Sequence, residues 1–125
     1  MSYISAESVA AIRNELKKKF PVLKFSVRRD GHSGVRVKIV SGKLDFSDIL
    51  AGRGYADVNI YWLQNYGKWK STFEAMVEIM KNAPARAGTD KPWYDNSDAM
   101  IDYFNTAWYM NLSVGDWNKP YIKTA

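Results

Sequence analysis

Residues 12–29 read IRNELKKKFPVLKFSVRR, and the reading of this stretch decides the fold. Upstream, Ser5 suits a helix N-cap, and Glu7 just inside it suits the positive end of the helix dipole. Val9, Ile12, Leu16 and Phe20 recur at helical spacing and make one apolar stripe, with Arg13, Asn14, Lys17 and Lys18 off it. Pro21 disfavours helical geometry at Phe20, so the helix is expected to stop near Lys19. Lys17, Lys18 and Lys19 then fall in the last turn, where cations suit the dipole. After the corner, Leu23, Phe25 and Val27 alternate with Lys24, Ser26 and Arg28, the period of a half-buried strand.

Working outward, Asp30-Gly31-His32-Ser33-Gly34 is turn chemistry. Val35, Val37 and Ile39 alternate with Arg36 and Lys38 beyond it. The pattern predicts a β-hairpin whose apolar face takes the helix and whose other face carries Lys24, Arg28, Arg36 and Lys38. Glycines make Ser41 to Tyr55 mostly loop, with a helical turn from Asp45 to Leu50 capped by Asp45. A third strand is expected from Asp57 to Leu63. A second helix, capped by Ser71 or Thr72, presents Phe73, Met76, Val77 and Met80 and is expected to end at Pro84. A short helix from Asn96 or Ser97 to Phe104 and a fourth strand from Trp108 to Val114 follow, before an irregular tail. The order predicts one α+β domain over residues 1–125: a mostly antiparallel four-stranded sheet with two main helices packed on one face. The other sheet face is left open and basic.

Composition narrows the functional classes. The chain has 125 residues and a net charge of +5, and no cysteine, so disulfides, thiol nucleophiles and cysteine metal sites are ruled out. No apolar run is long enough to span a bilayer, and MSYISAESV is no signal peptide, so a cytosolic protein without a membrane partner is expected. Residues 1–53 hold 11 Lys/Arg against 5 Asp/Glu, whereas residues 54–125 hold 7 against 8. A basic N-terminal half suggests a polyanionic partner, although a surplus of this size also serves solubility alone.

Two stretches resemble a known family. Ile12-Arg13, Leu16-Lys17, Phe20-Pro21 and Lys24-Phe25-Ser26-Val27 resemble the opening signature of the large polyvalent protein-associated domains of phages and conjugative elements. Asp98, Asp102-Tyr103-Phe104, Tyr109 and Gly115-Asp116-Trp117-Asn118-Lys119-Pro120-Tyr121 resemble a closing signature of related small phage proteins. The likeness covers the first and last quarters. It implies a factor that helps incoming DNA establish itself, or a free-standing accessory or anti-defence protein, an anti-CRISPR protein among them. It carries over no catalytic residue.

No reaction is legible, and no cofactor or enzyme activity is expected. His32, the single histidine, sits among glycines without neighbouring ligands and reads as a turn residue. Asp98 and Asp102 share a helix face beyond Asp95 and can hold Mg²⁺ in a small nuclease, but two carboxylates on a helix are ordinary. Gly52-Arg53-Gly54 lacks the phosphate-loop pattern. The basic hairpin face is the best candidate: Lys24, Arg28, Arg36 and Lys38 as contacts, Lys17 and Lys18 at the rim, and Trp117 and Tyr121 available to stack on bases. The expected partner is nucleic acid or a host nucleoprotein or defence complex. The alternative is a protein–protein inhibitor of a defence system that uses exposed aromatics.

Overall fold

The structure, a computed structural model, describes residues 2–97, 100 and 105–124. Helix α1 spans Ala6–Lys19, and Ser5 caps it by accepting the Ser8 N–H at 3.1 Å. Its stripe of Val9, Ile12 and Leu16 is buried, and it stops before Pro21 as the sequence demands. Strands β1 (Leu23–Asp30) and β2 (Gly34–Gly42) form the expected hairpin. A short α2 (Ser47–Leu50) follows, and Asp45 accepts the Ser47 N–H at 2.9 Å. Then come β3 (Ala56–Val58), a 3-10 segment (Leu63–Trp69), α3 (Lys70–Ala87), β4 (Tyr109–Val114) and β5 (Ile122–Lys123).

The sheet is mixed and five-stranded, not four-stranded and mostly antiparallel, in the order β1-β2-β4-β3 with β5 also on β2. β1–β2 and β3–β4 are antiparallel, but β4 and β5 both run parallel to β2. Alternation marks a strand without giving its direction. Between β2 and β4 the chain has α3 with which to return to its starting end, and a crossover of that length makes a parallel neighbour.

Three further expectations are corrected. The third strand ends at Val58, not Leu63, because Asn59 Oδ1 accepts the Tyr61 N–H at 3.0 Å and turns the chain. Neither Ser71 nor Thr72 caps the second helix, since the 3-10 segment runs directly into α3 at Lys70. Pro84 does not end α3: the helix continues to Ala87, with the proline buried inside it. Pro84 stands close enough to the end that its carbonyl already closes the helix, accepting the Thr89 N–H at 2.9 Å beyond the left-handed Gly88. The expected helix to Phe104 falls mostly outside the described residues.

Inward side chains line up across the sheet. Val27, Val37, Leu112 and Val58 form one row, and Phe25, Ile39, Val114 and Ala56 the next. These rows share a core with Ile12 and Leu16 of α1 and Phe73, Met76 and Met80 of α3. Phe25, expected to be buried, is only half-buried: it sits on the sheet's outer strand and meets Phe20 with ring centroids 6.0 Å apart. Arg86 ties the two helices together, reaching Glu15 of α1 at 2.6 Å and Glu78 of α3 at 2.8 Å.

Candidate functional site

The same alternation that buries the valines projects the cations. Across the open face, Arg28, Arg36 and Asn111 form one row, and Ser26, Lys38, Ser113 and Asp57 the next. A third row, at the hairpin end, is Asp30, Gly34 and Tyr109. Lys24 lies at the opposite end, beyond a bulge between Lys24 and Phe25. A cavity of about 330 Å³ on this face is bounded by Arg28, Lys38, Val40, Asp116, Asn118 and Lys119.

Two of the four predicted cations are answered within the fold. Arg36 meets Asp30 at 3.1 Å, and Lys38 Nζ meets Asp116 Oδ2 at 2.6 Å. The hydrogen bond from Lys38 is the main reason the Asp116 carboxyl is held below its ordinary value, aided by the N–H of Trp117. Among the described residues, Lys24, Arg28 and Lys119 have no carboxylate partner. The face therefore keeps a cationic surplus, centred on Arg28.

The loop carrying Asp116 is pinned over the end of β2. The Gly115 N–H donates to Ile39 at 2.8 Å, and Asp116 and Lys119 exchange backbone hydrogen bonds. Gly115 has φ 71°, and a Cβ there would come within 2.7 Å of the Gly54 carbonyl, so only glycine fits. Trp117 stands beyond Asp116, 76% exposed. Tyr121 does not join it. That ring packs edge-on against Phe46 and its hydroxyl donates to the Leu44 carbonyl at 2.6 Å; burial raises its pKa.

Lys17 and Lys18 are exposed on the helix layer, not on the open face. Lys18 lines a groove between α1 and α3 with Glu15, Glu78 and Arg86, which supplies acidic company. Residues of this face that the sequence reading did not pick out are Tyr109, Asn111 and Lys119. Alternation in β4 turns Tyr109 and Asn111 outward, but only the parallel β2–β4 register places Asn111 beside Arg36.

The alternatives to this face are thin. His32 is an exposed turn residue whose carbonyl accepts the Ile4 N–H at 3.0 Å. Asp95 spends its carboxylate on the Ser97 N–H and the Thr106 hydroxyl, and these bonds hold its pKa down. Asp98 and Asp102 lie outside the described residues. Among the described residues there is no group of three His, Asp or Glu placed to share a metal ion.

Fold and site together define an α+β domain with one solvent-facing, net-basic sheet surface. The chain belongs to the family described as large polyvalent protein associated domain 29, whose model matches residues 3–90. The family places it among phage- and mobile-element-associated proteins. The match takes in the opening signature and the middle of the chain, which the likeness read from sequence did not cover, and stops before the closing one. No curated protein and no solved structure matches the chain. No helix among the described residues is long and apolar enough to cross a membrane.

Proposed function

We propose that this protein is a non-enzymatic, anti-defence accessory protein of a phage or mobile element that acts in the host cytosol. It binds nucleic acid, free or within a host nucleoprotein complex, through the open sheet face. The observation that carries this reading is the Arg28–Arg36–Asn111 row with Lys38, Lys24 and Lys119 around it. Among the described residues Lys24, Arg28 and Lys119 lack carboxylate partners, so phosphates offset their mutual repulsion and release counterions. Exposed Tyr109 and Trp117 flank the cations and offer rings for unpaired bases. Titration of fluorescent single-stranded and duplex oligonucleotides at several salt concentrations tests the reading.

A second reading is favoured by a different observation. Tyr61 and Trp62, adjacent in the turn after β3, are 70% and 55% exposed. Paired exposed aromatics suit the centre of a protein–protein interface, as in an inhibitor of a defence complex such as an anti-CRISPR protein. Binding to such a complex that survives high salt and fails in Trp62→Ala would select this reading over the first.

A further inference from the structure

We propose that the outer edge of β1 takes an extended acidic peptide segment as an added strand. This site runs along the edge of β1 beside the open face and shares Ser26, Arg28 and Val40 with it.

Among the described residues β1 pairs on one side only, with β2. On its other side the Val27 carbonyl accepts a hydrogen bond from Arg13 Nη2 at 2.6 Å. Val27 therefore points its backbone groups outward, and by strand alternation so do Phe25 and Arg29. Apart from that one carbonyl, these outward N–H and C=O groups have no partner among the described residues. They face a groove of about 710 Å³ between the strand edge and the flank of α1 formed by Ala6, Val9 and Arg13.

The groove has a distinct charge. Arg13, Lys24, Arg28 and Arg29 line it, and no carboxylate does. Arg29 holds its guanidinium 5.0 Å from the Tyr3 ring centre, and its Nε is buried without an acceptor. A sheet edge with free backbone groups is a template for any extended chain, and cations are one of the means by which proteins protect such edges. Here they repel a second copy of this basic chain and attract an acidic one. The outward-pointing residues Phe25, Val27 and Arg29 give a usable ladder of about five residues.

An acidic strand meets every requirement at once. Its backbone pairs with both the N–H and the C=O groups of the edge, and its alternate side chains reach Arg28 on one face and Arg13 and Arg29 on the other. Arg13 leaves the Val27 carbonyl to the incoming N–H and takes a carboxylate instead. A phosphate chain fits less well, because it only accepts hydrogen bonds and leaves the carbonyls of Phe25 and Arg29 unpaired.

The test uses the full chain, labelled with ¹⁵N, and a blocked eight-residue peptide of sequence Glu-Glu-Val-Val repeated twice, which as a strand carries glutamates on both faces. Binding is expected to slow amide exchange at Phe25, Val27 and Arg29 at least tenfold. N-methylation of alternate peptide amides should weaken binding at least tenfold, and Arg13→Gln or Arg29→Gln several-fold. Failure to bind, equal binding of the N-methylated peptide, or unchanged exchange at those three amides overturns the proposal. So does an oligothymidine that slows the same amides as strongly as the peptide, which would make the groove a phosphate site. A wild-type chain that binds no oligonucleotide at the open face, by contrast, leaves these peptide results untouched.

Discussion

Arg28 and Arg36 are direct partners across the β1–β2 ladder, yet only Arg36 has a carboxylate, Asp30 at 3.1 Å. Like charges placed opposite each other on adjacent strands are destabilising, and Asp30 relieves one side of that pair. The two arginines are therefore unequal. Arg28 is available to a partner, whereas Arg36 is shared with Asp30. Asp30→Asn is expected to tighten oligonucleotide binding two- to fivefold by freeing Arg36, which fluorescence anisotropy at low salt measures. Unchanged or weaker binding would show that Arg36 does not touch the nucleic acid.

Acid should loosen the loop that holds Trp117. The Asp116 carboxyl is held below its ordinary value of 3.8, first by the hydrogen bond from Lys38. A carboxyl with a lower pKa in the folded than in the unfolded chain stabilises the fold above the unfolded value and loses that contribution as pH falls through the folded value. The window therefore lies below about pH 3.8. The part of the tryptophan fluorescence that Trp117→Phe removes should change there in the wild type, and Asp116→Asn should abolish that part of the transition while shifting the neutral-pH signal; Trp69, whose indole bonds Asp48, supplies a separate signal in the same window. A Trp117 transition that survives in Asp116→Asn would assign it to another group.

Two phenylalanines separate the core from its margin. Phe73 is fully buried in α3, and Phe73→Ala should cost about 3–5 kcal/mol. Phe25 is half-buried on the outer strand, so Phe25→Ala should cost clearly less. Urea melts of both variants check the order. An equal loss would place Phe25 deeper than the fold shows.

Hydrolysis is not expected. Incubation with supercoiled plasmid or RNA and either Mg²⁺ or Mn²⁺ should leave the substrate intact. Cleavage that disappears in Asp98→Asn or Asp102→Asn would instead promote the nuclease reading.

Local chemistry made α1 and the hairpin legible. The Ser5 cap, the Phe20-Pro21 stop and the alternation of Leu23 to Arg28 and of Val35 to Ile39 each act over a few residues, and the structure follows them. The parallel pairing of β4 with β2 was not legible, because residues about 75 apart in the chain meet there and no local pattern fixes direction. Pro84 misled for a related reason: a proline breaks an isolated helix, but here it is buried in the core and the helix closes just beyond it. The basic face itself was legible from alternation. Its counter-charges were not, since Asp116 reaches Lys38 from a loop 78 residues away. Lys18 was misplaced because the helix layer turns its flank away from the open face, and Tyr121 because Phe46 and Leu44 hold it.

The most direct test of the open face is the salt dependence of oligonucleotide binding in the wild type and in Arg28→Ala. The wild type should bind unrelated single-stranded sequences at low salt, with log K falling linearly against log salt. Arg28→Ala should weaken all of them by a similar factor and reduce that slope by about one unit, as when one phosphate is no longer neutralised, with the thermal midpoint little changed. A wild type that does not bind at low salt, or an Arg28→Ala protein with an unchanged slope, would contradict the account.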